Sequence, residues 1–127
     1  MDIEITKPIN IMLDTVELDD RIPSIKFNLM IKIDKFGYSS EVNTQLWIEC
    51  ECIDVFINNI RDGKTALLKD MNGCFELILN PSQNWLEWSC AKEDLEGYIT
   101  ISKGREKLTE ESKLAVYAAF NDYPKWW

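Results

Sequence analysis

The side chains in this chain that could do chemistry are carboxylates, thiols and indoles; there is no histidine. Without an imidazole, Ser-His-Asp and Cys-His nucleophilic sites and the zinc-binding HExxH motif are excluded, and the commonest general acid–base group at neutral pH is missing. No glycine-rich phosphate loop of either common spacing occurs, which removes P-loop and dinucleotide chemistry. The carboxylates cluster at Asp14-x-x-Glu17-x-Asp19-Asp20, at Glu49-x-Glu51 and at Glu93-Asp94-x-Glu96. Any of these could bind a hard cation or supply a glycosidase pair. None has the EF-hand spacing with its fixed glycine, and the ordinary reading is solvated loop charge, followed by a surface for a protein.

Four cysteines are present, and Cys50-x-Cys52 lacks the two-residue gap of a CxxC redox or zinc motif. An all-cysteine zinc site would need Cys74 and Cys90 to converge from separate strands, so packed or semi-exposed reduced thiols are expected. Of the five tryptophans, Trp47 and Trp88 lie on or beside apolar faces and are expected in the core. Trp126 and Trp127 end the sequence, and either dock back on the sheet or anchor a partner.

The formal net charge is −8 over 127 residues. That excess repels nucleic acid and anionic membrane, and it steers a basic partner inward if one exists. No run approaches the ~18 consecutive apolar residues of a membrane-spanning helix. The first residues have neither the basic nor the apolar region of a signal peptide, so the expected compartment is the cytoplasm, with thiols reduced. No cofactor is implied.

These side chains must be positioned by elements that the hydrophobic period predicts. Apolar residues alternate across 24–34 (Ile25, Phe27, Leu29, Ile31, Ile33), the period of a half-buried strand, and across 38–48 on the return. Residues 3–16 read as one or two short strands broken near Pro8, followed by an acidic loop over 17–23. The period then changes. Ile53, Phe56, Ile57 and Ile60 line one stripe of a helix that Arg61-Asp62-Gly63 closes. Asn72-Gly73 predicts a two-residue hairpin pairing Leu68 with Leu77 and Lys69 with Glu76. Strands follow over 85–91 and 98–102, around a charged turn at 92–97. Thr109 caps a second helix, ending near Asp122, with Leu114, Tyr117 and Ala118 (and Asn121) on its inner face. There is no repeat or linker, so residues 1–127 form a single domain.

At residues 46–80 the chain resembles a family of small bacterial α+β domains, largely of unknown function, that includes immunity proteins of polymorphic-toxin and contact-dependent inhibition systems. The resemblance rests on Trp47-Ile48, Ile53, Phe56, Ile57, Ile60, Gly63, Ala66, Leu68 and Phe75-Glu76-Leu77, with Cys52 where an acidic residue is usual. It agrees with the fold expected from the pattern along the chain, α+β with a twisted, mostly antiparallel sheet in the order β-β-β-α-β-β-β-β-α and two helices packed on it. It also implies a protein that binds a cognate toxin and is not itself an enzyme. The acidic surface makes a basic nuclease the expected toxin, with Asp19, Asp20, Glu93, Asp94 and Glu96 as contacts and Trp126 and Trp127 as anchors. Free of its toxin, the chain is expected as a monomer or weak homodimer. The alternatives are a self-associating adaptor and, further off, a divalent-metal enzyme built on Asp14, Glu17 and Glu51.

Overall fold

The computed structural model describes residues 2–127. Its elements run β1 (Ile3–Ile5), β2 (Asn10–Asp19), β3 (Ser24–Lys35), β4 (Tyr38–Glu49), α1 (Cys50–Arg61), β5 (Ala66–Lys69), β6 (Phe75–Asn80), β7 (Trp85–Glu93), β8 (Ile99–Lys107) and α2 (Glu110–Asn121). Strands β1 to β4 form one four-stranded antiparallel sheet in chain order, and β5 to β8 form a second. The class is α+β, as expected. The single expected sheet is two, and four strands, not three, precede α1, because the segment around Pro8 leaves the ladder between Ile5 and Asn10. Among the described residues one backbone bond joins the sheets at their junction, from the Met71 N–H to the Trp47 carbonyl at 2.8 Å.

The alternating strands turn their apolar sets into one core. Ile25, Phe27, Leu29 and Ile31 of β3 meet Ile11 and Leu13 of β2 and Ile48 of β4, all at most 1% exposed. From the second sheet come Leu68, Phe75, Leu77, Leu86 and Trp88. The predicted stripe of α1 is buried in full: Ile53, Phe56, Ile57 and Ile60, with Cys50. Gly63 follows at φ +71°, and the Gly63 and Lys64 N–H groups take the Ile60 and Asn59 carbonyls, the left-handed termination that the sequence predicts.

Four local expectations are corrected. First, the acidic stretch is not a loop until Asp20. The ladder shifts between Thr15 and Glu17, an extra residue is absorbed at Val16, and β2 then pairs on to Asp19 opposite Ser24. Second, the β5–β6 register is the predicted one (Ala66 to Leu79, Leu67 to Ile78, Leu68 to Leu77, Lys69 to Glu76), but the turn is wider than two residues. Met71 gives its N–H to Trp47, and only Gly73 has positive φ, so the two-residue geometry that needs it twice is lost. Third, β8 runs to Lys107, well beyond residue 102.

The fourth concerns α2, which buries Ser112, Val116 and Phe120, while Leu114, Ala118 and Asn121 stay exposed and Tyr117 is half-buried. The helix carries apolar residues on more than one side, so packing chooses the stripe. Phe120 wins by meeting Phe56 edge-on, ring centroids 4.9 Å apart. The Thr109 cap holds in reciprocal form, Thr109 Oγ1 accepting from the Ser112 N–H and Ser112 Oγ from the Thr109 N–H. No helix among the described residues is long and apolar enough to cross a membrane.

Candidate partner-binding surface

The two acidic clusters occupy hairpin turns of different sheets, and each is held by one of its own carboxylates. At the β2–β3 turn, Asp19 Oδ1 accepts the Arg21 N–H at 2.9 Å. At the β7–β8 turn, Asp94 Oδ1 accepts from both the Glu96 and the Tyr98 N–H, at 2.9 and 3.0 Å. There Gly97 takes φ +89° to close the bend. Asp19 and Asp94 are therefore turn formers, the role for which short acidic side chains suit such positions. Asp20, Glu93 and Glu96 are exposed, and none forms an ion pair among the described residues. Among the described residues no hydrogen bond or ion pair joins one turn to the other.

Exposed apolar residues lie beside these carboxylates. Leu95 at the tip of the β7–β8 turn is fully exposed, and Tyr98, Ile99 and Ile101 are 71%, 61% and 63% exposed. Ile99 faces Glu93 across the ladder and Ile101 faces Ala91, so these side chains share the outer face of the second sheet. Leu18 and Ile22 flank Asp19 and Asp20 in the same way. The signal was there to read: an aliphatic residue between acids in a turn (Asp94-Leu95-Glu96) has no inward direction to take.

The tryptophan tail folds back, though onto α1 rather than a sheet. Trp127 is half-buried and its Nε1–H donates to Asp54 Oδ2 at 2.8 Å, while Lys125 pairs with the other oxygen at 3.0 Å. Tyr123 beneath it is buried, its hydroxyl 2.8 Å from Thr15 Oγ1 and its ring edge-on to Phe27. Burial pushes the Tyr123 phenol up from its ordinary pKa, partly countered by the Thr15 bond. Trp126 stands edge-on to Trp127 and is 37% exposed. Of the two expected anchors, only Trp126 presents its ring outward. Trp88 is core as expected, and Trp47 is half-buried opposite Lys26.

The remaining chemistry-bearing residues do not gather. Asp14 and Glu17 sit on either side of the β2 irregularity and Glu51 on α1; among the described residues no group of three or more His, Cys, Asp or Glu side chains could hold a metal ion. All four thiols are free. Burial pushes Cys50 and Cys90 up to about 11, helped by Asp54 and Asp70 respectively, so neither is a ready nucleophile. Asp70, outside every acidic cluster of the sequence, is a buried carboxylate whose Oδ1 accepts from the Cys74 and Phe75 N–H groups at 2.7 and 2.9 Å. It closes the β5–β6 turn that Asn72-Gly73 alone does not. Compared with protein-family models, curated proteins and solved structures, the chain matches none.

Proposed function

We propose that this protein is an immunity-type inhibitor that works by being gripped: it binds a basic protein partner, a nuclease toxin in the leading reading, through the β7–β8 turn. The observation that carries this is the mixed chemistry of that turn, where exposed Glu93 and Glu96 rim the exposed Leu95, Tyr98 and Ile99 on a backbone held by Asp94. Protein interfaces pair apolar anchors that supply affinity with charged rims that supply encounter rate and specificity. Covering a fully exposed leucine stabilises a complex by roughly 1.5–3 kcal/mol before ordering costs. The carboxylates take the place of phosphates in the toxin's groove and leave its lysines and arginines without their substrate. Asp20, Leu18 and Ile22 on the β2–β3 turn form a second patch of the same kind, and Trp126 a third contact. Four free thiols fit a reducing cytoplasm.

The test is co-expression with the product of the adjacent gene in a sensitive cell. The intact chain restores growth, and a variant carrying Glu93→Lys, Leu95→Asp and Glu96→Lys, which keeps the Asp94 turn, does not. For the purified pair, the association rate should fall at least tenfold between 20 and 300 mM salt. Growth restored equally by the variant, or no complex with the neighbouring product, refutes the proposal.

A further inference from the structure

The second sheet ends in β8, and the backbone groups on its outer side can be assigned from the two ends of the strand. The Asp94 N–H meets the Tyr98 carbonyl at 2.9 Å, and the Leu108 N–H meets the Asn84 carbonyl at 2.8 Å. Even-numbered residues therefore turn their backbone groups toward β7. Alternation in an antiparallel ladder then sends the N–H and C=O of Ile99, Ile101, Lys103, Arg105 and Lys107 outward. Among the described residues no backbone bond from another element reaches them. The side chains of the same five residues share the outer face of the sheet.

That edge is bipolar. Its first half is apolar, with Ile99 and Ile101 exposed, and it begins beside a turn that carries exposed Glu93 and Glu96. Its second half carries Lys103, Arg105 and Lys107, all exposed. The neighbouring charges do not cancel this division. Arg105 is paired with Glu87 at 3.5 Å and Glu106 with Lys35 at 3.0 Å, while Glu76 faces Lys69 across the ladder. Asp94 accepts from two turn amides, and Lys92, opposite Thr100, lies on the other face of the sheet. Left over are Glu93 and Glu96 at one end and Lys103 and Lys107 at the other, none of them in an ion pair among the described residues.

Cations on an edge ordinarily keep other strands from pairing with it. Here they leave one strand that suits: the same strand run the opposite way. Antiparallel pairing of two copies about a two-fold axis sets the acidic turn of each beside the cations of the other. Only outward residues can face one another, so the possible registers differ in steps of two residues. Centred on Ile101, residues 99–103 of both copies pair. Ile101 then meets its own copy, and Lys103 lies opposite Ile99 and alongside Glu93 of the second chain. The next register sets Ile99 against Arg105 and Ile101 against Lys103, and the one beyond sets Lys103 against itself, where like charges repel. Sliding the other way leaves only residues 99–101 of each strand paired. The register centred on Ile101 is thus the longest that keeps isoleucine on isoleucine and cations apart.

We propose that β8 is the surface on which two copies of this chain join, antiparallel and centred on Ile101, so that their second sheets run on edge to edge. Main-chain bonds at Ile99, Ile101 and Lys103 hold the strands, the isoleucines cover one another, and Glu93 to Lys103 pairs close both flanks. The contact is small, so the dimer is weak and reversible. It stands whether or not the inhibitor reading holds; where both hold, toxin and second copy compete for the β7–β8 hairpin. The test uses the purified chain alone, by sedimentation equilibrium from about 10 to 500 µM. Expected are a mass rising from one copy towards two and association at least fivefold weaker in 300 mM than in 20 mM salt. Hydrogen exchange at the Ile99, Ile101 and Lys103 amides should slow as the concentration rises. The double variant Glu93→Lys, Glu96→Lys leaves both ends of the hairpin cationic, and Lys103→Glu, Lys107→Glu makes both ends acidic. Each should be monomeric alone, and the two should pair with one another when mixed. Should either variant fail to fold, the exchange measurement on the intact chain decides. An intact chain that stays monomeric at 500 µM, protection that rises on another strand instead, or folded variants that do not pair when mixed overturns the proposal.

Discussion

Replacing Gly104 by alanine separates two physical effects that predict opposite signs. Gly104 lies on β8 directly across the ladder from Trp88, and its φ is not in the left-handed region. On backbone grounds alone, alanine should stabilise by about 0.4–1 kcal/mol, because the unfolded chain loses freedom. The packing says otherwise. A Cβ at this position would sit 2.6 Å from Trp88 Nε1, 2.9 Å from Cε2 and 3.1 Å from Cζ2. Trp88 is only 5% exposed and its indole is a rigid plate held in the core, so it cannot give way as a flexible side-chain tip would. Overpacking of this kind costs roughly 1–3 kcal/mol, and with the backbone gain taken off at mid-range the net loss is about 1.3 kcal/mol. Urea unfolding followed by tryptophan fluorescence should show the midpoint lowered by about half to one molar at ordinary slopes. In a Trp88→Leu background the same Gly104→Ala change should be neutral or stabilising, giving a coupling of about 1–3 kcal/mol between the two sites. Unchanged or raised stability of Gly104→Ala in the intact background refutes the packing argument, and so does a penalty that survives removal of the indole.

Further expectations follow from other buried polar and thiol groups. Asp70→Ala strands two amides, one of them buried, and should cost about 2–3 kcal/mol in urea unfolding, with Asp70→Asn recovering part because it keeps an acceptor. Trp127→Phe keeps the ring stacked near Tyr123 but removes the bond to Asp54, for a loss of about 0.5–1.5 kcal/mol. A disulfide-exchange reagent at pH 8 should label exposed Cys74 rapidly and half-buried Cys52 more slowly; Cys50 and Cys90, buried and held near 11, should react only on unfolding. For Asp2, burial raises the carboxyl pKa, but bonds from the Thr15 N–H and hydroxyl outweigh it, so the net shift is below the ordinary 3.8. A depressed folded pKa means that its stabilisation is present above the ordinary value and is lost as pH falls through the folded one. Asp2→Asn should therefore flatten the stability profile below pH 4 and leave its slope near neutrality unchanged.

Much of the fold was legible because periodicity reports burial directly. The five alternating apolar residues of β3 and the four-residue stripe of α1 lie where their spacing put them, since only one face of each element can be apolar and dry at once. The β5–β6 register was legible too, since opposite charges on Lys69 and Glu76 and the apolar pairs beside them satisfy only one alignment. The turn between them departs from the two-residue form because Met71 spends its N–H on a residue 24 positions away, a commitment local sequence does not encode.

The same division holds for the candidate surfaces. Composition alone determined that the chain is acidic and lacks imidazole, because charge and residue type need no coordinates. Which carboxylates hold their own turns (Asp19, Asp94) and which face outward (Asp20, Glu93, Glu96) was decided only by backbone geometry. The choice of Phe120 over Leu114 as the inward side of α2, the return of Trp127 onto Asp54, and the free edge of β8 were likewise tertiary decisions. Each depends on what a distant segment brings to the contact, and a side chain's own neighbours in sequence carry no record of that.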